Sequence, residues 1–372
     1  MKIRPFAVEM WMNAHENGCR HNLAETCVDS LTVEELLRLA GRSNAILDDL
    51  MPMRLTYGAI EGSERLRAAI AALYETRTAA DVLVAHGAIG ANALVYQALI
   101  EPGDRVVSIV PTYQQHVSIP ESLGADVREL RLDAGDGYAP DIDRLRELVG
   151  DGCRLIAFSN PNNPTGALMD RSTLEEIVAI AEAAGAWVLA DEVYRGLDQH
   201  GGGTTVSVAD LYEKGISTGS MSKAFSLAGL RLGWMVARPD LLAAVSIHRD
   251  YNTISVGMID DLLATVALEA ADRVLARSRA IVRDNLAMLA QWIDGETSVE
   301  WVRPRSGTTA LLRYGGDEPS QAFCARLLAE TGVLLVPGSA FGEEGRARIG
   351  YANNAGVLHD GLAALSRFLA RG

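Results

Sequence analysis

The sequence predicts an α/β protein, with a mixed, mostly parallel sheet between helices forming a large domain and a smaller α+β domain after it. Three observations point there. Between residues 55 and 250, short apolar runs that stop at Pro or Asp alternate with amphipathic stretches of helical period. Beyond residue 255 the pattern changes to long helices followed by short strand-like pieces. A chain of 372 residues, 48% hydrophobic and 22% charged, is also long enough to bury two cores without disulfide or metal staples.

Residues 1–45 read as an N-terminal arm that belongs with the smaller domain. Its helix starts after Thr32, where Thr32 and Glu35 make a capping box, and ends at Gly41. Residues 46–255 form the large domain. Within it Glu64–Tyr74, Ala91–Leu99 and Leu174–Ala184 read as helices. Arg105–Val110, Leu155–Ser159 and Trp187–Ala190 read as buried strands, stopped by Pro111, Pro161 and Asp191, and Gly215–Gly219 and Leu232–Ala237 as further strands. Near-continuous apolar strands imply a sheet covered on both faces, and ligands in such sheets sit at the carboxyl ends of the strands. Residues 256–372 form the smaller domain, helical from Asp260 to Asp294. Strand-like pieces at Thr308–Arg313, Val333–Val336 and Ala347–Gly350 follow, with a terminal helix after them.

Composition narrows the function. A net charge of −14 argues against nucleic-acid and anionic-membrane partners. Cys19, Cys27, Cys153 and Cys324 make no C-x-x-C and no Cys/His metal spacing, so reduced thiols and no metal site are expected. The N-terminal stretch Met-Lys-Ile-Arg-Pro-Phe-Ala-Val-Glu has no apolar signal core, and no apolar run approaches the ~20 residues of a spanning helix, so a cytoplasmic location is expected.

The lysine count is more telling. The chain has only Lys2, Lys214 and Lys223, against 31 arginines. Arginine serves wherever a positive charge suffices, but its guanidinium does not deprotonate and cannot replace a nucleophilic amine. Lys223 lies in Ser220-Met221-Ser222-Lys223, followed by Gly229, Arg231 and Gly233, just after a short strand. A lysine there is placed to form a Schiff base with an aldehyde cofactor, with Ser220 and Arg231 placed to hold its phosphate.

Three further stretches fit the same cofactor. Asp191, in Asp191-Glu192-Val193-Tyr194, ends an apolar strand, where a carboxylate needs a cationic partner such as a protonated pyridine nitrogen; capping of the next helix is the alternative. In Asn160-Pro161-Asn162-Asn163-Pro164-Thr165-Gly166, Asn163 is set to hold a phenolic oxygen, although Asn-Pro pairs read alone are turns. His86-Gly87-Ala88-Ile89-Gly90 opens a helix whose first N–H groups suit an anion, a weak signal by itself. Together the four stretches read as a pyridoxal-phosphate site.

With these motifs the chain closely resembles the class I/II aminotransferase family, the fold-type I pyridoxal-phosphate-dependent enzymes. The resemblance runs in the family's order from Tyr57-Gly58-Ala59-Ile60-Glu61-Gly62 to Arg346-Ala347-Arg348. It implies that Lys223 is the Schiff-base lysine and proton shuttle, that Asp191 pairs with the pyridine nitrogen, and that Asn163 and Tyr194 hold the ring oxygen. It places Gly87, Ala88, Ile89, Ser220, Ser222 and Arg231 around the phosphate, and Tyr113 against the ring. Tyr57 would reach the phosphate of a neighbouring subunit, which implies a homodimer with shared active sites. Arg348 would grip the substrate carboxylate, with Arg346 a rival for that role.

The arm departs from the family. Where many members have a permissive glycine over the substrate, this chain has Asn22-Leu23-Ala24-Glu25-Thr26-Cys27, with Glu9 and Glu16 upstream. If the arm covers the substrate, Glu9 and Glu25 would bind a cationic side chain such as a guanidinium; solvated surface acids are the other reading. The arm, together with His248–Ser255 and Gly332–Gly342, is similar to a branch that includes capreomycidine synthase. The resemblance therefore implies an aminotransferase acting on a small amino acid, a cationic one if the arm acids face it. The alternative is an elimination–replacement cyclase acting on a hydroxylated arginine. A non-catalytic pyridoxal-phosphate-binding protein is a distant third.

Overall fold

The computed structural model describes residues 2–43 and 45–371. The chain opens with a helix, Ala7–His15, and a two-residue strand, β1 (His21–Asn22). The central sheet follows: β2 (Val82–Ala85), β3 (Arg105–Val110), β4 (Asp126–Arg131), β5 (Cys153–Ser159), β6 (Trp187–Asp191), β7 (Gly215–Ser220) and β8 (Gly233–Val236). Its order is β2-β8-β7-β6-β5-β3-β4. Only β8 runs against its neighbours, because the short link from Ser220 to Gly233 returns directly without a crossover helix.

Alternation along the strands explains why both faces are covered. Val107, Ile156, Phe158 and Val188 pack on one side with Leu174 and Ile177 of the Arg171–Ala184 helix. Val106, Leu155, Leu189 and Ile216 pack on the other with Leu94 and Val95 of the Gly87–Leu99 helix. Each such fully buried side chain contributes about 1.5–3 kcal/mol. The outer strand β4 carries Asp126, Arg128, Glu129 and Arg131, and these charges protect a sheet edge.

A second sheet, antiparallel throughout, has the order β12-β13-β10-β9, built from β9 (Val299–Trp301), β10 (Thr309–Tyr314), β12 (Val336–Pro337) and β13 (Arg346–Gly350). Between β10 and β12, β11 (Val333–Leu334) pairs in parallel with β1, and so the arm is stitched to the C-terminal part of the chain.

The Thr32–Glu35 capping box is present, with the helix at Val33–Leu39. Several boundaries differ from the sequence reading. The Gly87–Leu99 helix begins four residues before Ala91, because glycine at its start hides the helical period. The helix at Glu64 ends at Ala71, and Leu73 and Tyr74 form a turn that sends the Tyr74 hydroxyl to Ser217 at 2.9 Å. The apolar run Val333–Val336 is two strands in two sheets, divided at Leu335, whose carbonyl accepts the Trp11 indole N–H at 2.9 Å. The long helical stretch after residue 255 breaks at Ala270 into Met258–Glu269 and Ala271–Gly295. No helix among the described residues is long and apolar enough to cross a membrane.

Candidate active site

The sheet topology brings the predicted segments to one edge. β5 ends at Ser159, β6 at Asp191 and β7 at Ser220, side by side and parallel. The antiparallel β8 begins at that same edge, with Gly233 opposite both Ser220 and Ala85. The edge opens into a cavity of about 570 Å³ lined by Gly87, Ala88, Ile89, Tyr113, Asn163, Asp191, Tyr194, Ser220, Ser222, Lys223, Arg231 and Arg348. Glu9, Glu16 and Glu25 of the arm line it as well. Tyr57 does not; it is 77% exposed on the outer surface.

One end of the cavity is an anion cradle. A Cβ at Gly233 would lie 2.3 Å from the Gly87 carbonyl carbon and 2.4 Å from the Ala88 nitrogen, so only glycine lets the helix start sit against β8. That helix has no side-chain cap, which leaves its first N–H groups for a ligand. The Ser220 hydroxyl accepts the Ser222 N–H at 3.2 Å, and Arg231 donates to the Ala228 carbonyl at 2.9 Å. Arg231 has no acidic partner among the described residues and holds a left-handed φ of 48°. A positive φ on a bulky residue costs free energy that a binding role offsets.

At the floor, Asp191 is buried and accepts the Asn92 side-chain N–H at 2.9 Å and the Val193 N–H at 3.2 Å. Asn92 is held in that orientation because its oxygen accepts the Thr218 hydroxyl at 2.7 Å. His116 Nε2 lies 3.7 Å from the same carboxylate and has no hydrogen-bond partner, while Nδ1 meets the Tyr96 hydroxyl at 2.8 Å. Asn92 and His116 were not singled out by sequence reasoning. Both lie on helices that pack behind the strand end, and only the three-dimensional register shows them facing Asp191.

The cavity is also lined by Tyr194, whose hydroxyl is buried without a partner. Arg348, 3% exposed, donates to Asn163 Oδ1 and to the Ala24 carbonyl, each at 3.1 Å, and its Nε–H is unpartnered. It has no acidic partner among the described residues, and burial pulls its pKa below the usual guanidinium value. A buried guanidinium of this kind needs an anion. Arg346, two residues earlier on β13, lies 3.3 Å from Glu343 and outside the cavity.

The arm supplies the remaining wall. The Ala7–His15 helix brings Glu9 to within 2.7 Å of the Tyr113 hydroxyl, which donates to it. Burial, reinforced by Glu9, raises the Tyr113 pKa. Glu25 accepts the Thr26 and Cys27 N–H groups through one oxygen, at 2.7 and 2.8 Å. Burial opposes its charge, but Lys223 and these hydrogen bonds prevail and hold its pKa below the usual glutamate value. Lys223 donates to the Thr26 hydroxyl at 2.6 Å and approaches Cys27 Sγ at 3.5 Å. Thr26 and Cys27 were also missed, since a hydroxyl and a thiol in a loop carry no pattern.

These features suit pyridoxal phosphate. The unpartnered Tyr194 hydroxyl awaits an acceptor, the cradle awaits a dianion, and buried Asp191 awaits a cation. The model of class I and II aminotransferases matches residues 29–364 of the chain. Capreomycidine synthase of Streptomyces vinaceus is 34% identical over 368 residues, which cover 97% of this chain and 93% of that protein. The crystal structure of a pyridoxal-phosphate-dependent aminotransferase from Streptococcus suis has 42% identity and a TM-score of 0.96, covering 100% of this chain and 99% of that one. That of the pyridoxal-phosphate-dependent cyclase OrfR has 31% identity and a TM-score of 0.92, covering 100% and 98%. Motifs, fold and cavity agree with these likenesses, and the chain belongs to the class I and II aminotransferase family, enzymes that work with pyridoxal phosphate.

Proposed function

We propose that the protein deprotonates the α-carbon of a small amino acid with a cationic side chain and carries it through transamination. The observation that carries this reading is the placement of Arg348 and the carboxylates Glu9, Glu16 and Glu25 in one cavity with Lys223. Arg348 pairs with the substrate carboxylate, and the arm acids face its positive side chain. Bound pyridoxal phosphate supplies an aldehyde for an amine and a cationic ring that accepts electron density. Lys223 would hold the cofactor through its amine, and the same amine would serve as the base for the α-proton. Asp191 keeps the ring nitrogen protonated, Tyr194 and the Asn163 amide donate to the ring oxygen, and Tyr113 lies against the ring. Gly87, Ala88, Ile89, Ser220, Ser222 and Arg231 hold the phosphate. Exposed Tyr57 serves the neighbouring site of a cytoplasmic homodimer, in which 46–255 and 256–372 form the large and small domains.

A second reading, elimination and ring closure on a hydroxylated arginine, draws on the same arm acids and on the likeness to capreomycidine synthase. The two are separated by adding single amino acids, including arginine and hydroxyarginines, to the loaded enzyme without a keto acid. One keto acid per site means transamination. Many turnovers with loss of water and a cyclic product mean ring closure. If no amino acid changes the cofactor spectrum or is consumed, both readings fall.

Two substitutions test the substrate assignment. Glu25→Ala is expected to lower kcat/KM about tenfold or more for a cationic amino acid and far less for a neutral one of similar length; steady-state rates with both decide it, and equal losses remove the cationic side chain from the reading. Arg348→Gln is expected to lower kcat/KM by roughly thirty-fold or more, chiefly through KM, because the substrate carboxylate loses its buried partner. Arg346→Gln serves as the comparison and is expected to change kcat/KM little.

A further inference from the structure

The segment Ala24–Cys27 is fixed from several sides. The Thr308 hydroxyl donates to the Thr26 carbonyl at 2.7 Å, and Glu25 takes the two N–H groups on either side of that residue's side chain. Arg348 holds the Ala24 carbonyl, and the Gly350 N–H donates to the Leu23 carbonyl at 2.7 Å. A Cβ at Gly350 would lie 1.8 Å from the Glu25 carbonyl oxygen, so β13 and the arm meet backbone to backbone. The result is a rigid shelf that points one hydroxyl and one thiol at the Lys223 amine. Thr26 and Cys27 are 7% and 9% exposed, while Lys223 keeps a partly exposed side toward the cavity.

We propose that Thr26 is a positioning residue: its hydroxyl, with Cys27 and Glu25 behind it, receives the Lys223 amine whenever that amine is not bonded to the cofactor, and thereby controls how readily it returns. This rests on the assignment of Lys223 as the cofactor's lysine. The groups that face the amine are Glu25 and Cys27 from the arm, Tyr194 from the segment after β6, and Arg348 from β13. Burial disfavours the ammonium and Arg348 opposes it, but Cys27, Tyr194 and Glu25 prevail and hold its pKa above the usual lysine value. Burial raises the Cys27 pKa, so the thiol is a neutral partner near pH 7 and adds its charge only in the alkaline part of the range, whereas Glu25 is charged throughout. Only the neutral amine attacks the aldehyde, forming a C=N bond and releasing one water, after the ammonium has given a proton to solvent. A shelf that favours the ammonium therefore slows the return of the lysine and keeps the cavity open to substrate amine.

The test is the rate at which full-length protein, stripped of cofactor, captures added pyridoxal phosphate, followed by visible absorbance from pH 6 to 10. Thr26→Val removes the acceptor at constant shape. The capture profile is expected to move about one pH unit lower, so that capture at pH 8 is about tenfold faster than in the wild type. Glu25→Gln is expected to move it in the same direction, and Thr26→Ser to restore the wild-type profile. A merely structural role would slow capture at every pH without displacing the profile. Because the chain has three lysines, reductive methylation with ¹³C-formaldehyde gives a second readout: the Lys223 dimethylamine titration shifts down in Thr26→Val while those of Lys2 and Lys214 stay. A Thr26→Val profile superimposable on the wild type, or slower at pH 8, overturns the proposal, and where that variant does not fold an unshifted Glu25→Gln profile does the same. Retained cofactor absorbance in Lys223→Ala would instead overturn the assignment beneath it.

Discussion

Lys223→Ala is expected to lose both the covalent cofactor absorbance and all measurable turnover. Two functions disappear with one side chain. On the proposed assignment the amine that bonds the aldehyde is gone, and so is the base that takes the α-proton. The second loss alone lowers rates by about 10²–10⁴-fold. No other residue can take over: Lys2 lies in the N-terminal arm before the first helix, and Lys214 is bound to the Gly185 carbonyl just before β7, at the opposite end of that strand from Ser220. Arginines do not deprotonate, so the many guanidiniums of this chain offer no substitute. Absorbance spectra of the purified variant with added pyridoxal phosphate, and product formation over hours, check the expectation. Turnover at more than about one hundredth of the wild-type rate would remove Lys223 from the mechanism.

Asp191→Asn is expected to lower kcat by about 10²–10³-fold while leaving pyridoxal phosphate bound. The variant keeps the size of the side chain but loses the charge that stabilises a protonated ring nitrogen. Cofactor retention follows from the geometry, since the anion cradle of the Gly87–Leu99 helix, Ser220, Ser222 and Arg231 stands at another part of the cavity and is untouched. Asn92 is fixed by Thr218 and cannot turn its oxygen inward to compensate. Cofactor content measured after gel filtration, alongside kcat, separates the two effects. Near-normal kcat would show that the ring does not need its proton here.

Much of this site was legible because its chemistry is written in short strings next to strand ends. Asp191 and Asn163 follow apolar runs that read as buried strands, Lys223 follows the short strand Gly215–Ser220, and a parallel sheet brings such ends together. Long-range partners leave no such trace. Asn92 and His116 face Asp191 across separations of 99 and 75 residues, and nothing local to either one marks it. The Ala7–His15 helix escaped notice because its stability comes from docking, through the Trp11 indole and Val8, more than from its own periodicity. The choice between Arg346 and Arg348 was equally closed to sequence, since both lie on the same face of β13 and only the fold buries Arg348 in the cavity while pairing Arg346 with Glu343.

The stitch between β1 and β11 has a consequence for how the enzyme is made. Trp11 reaches Leu335 across 324 residues, and Arg348 holds the carbonyl of Ala24 across the same span. The arm thus waits for residues made more than 300 positions later before it finds its seat. The large sheet, closed by residue 236, can form much earlier and already carries Asp191 and Ser220, with Lys223 in the link between β7 and β8. A chain made as far as residue 236 has every strand of the large sheet but no partner for the arm, whose seat is complete only once residues 333–350 are present.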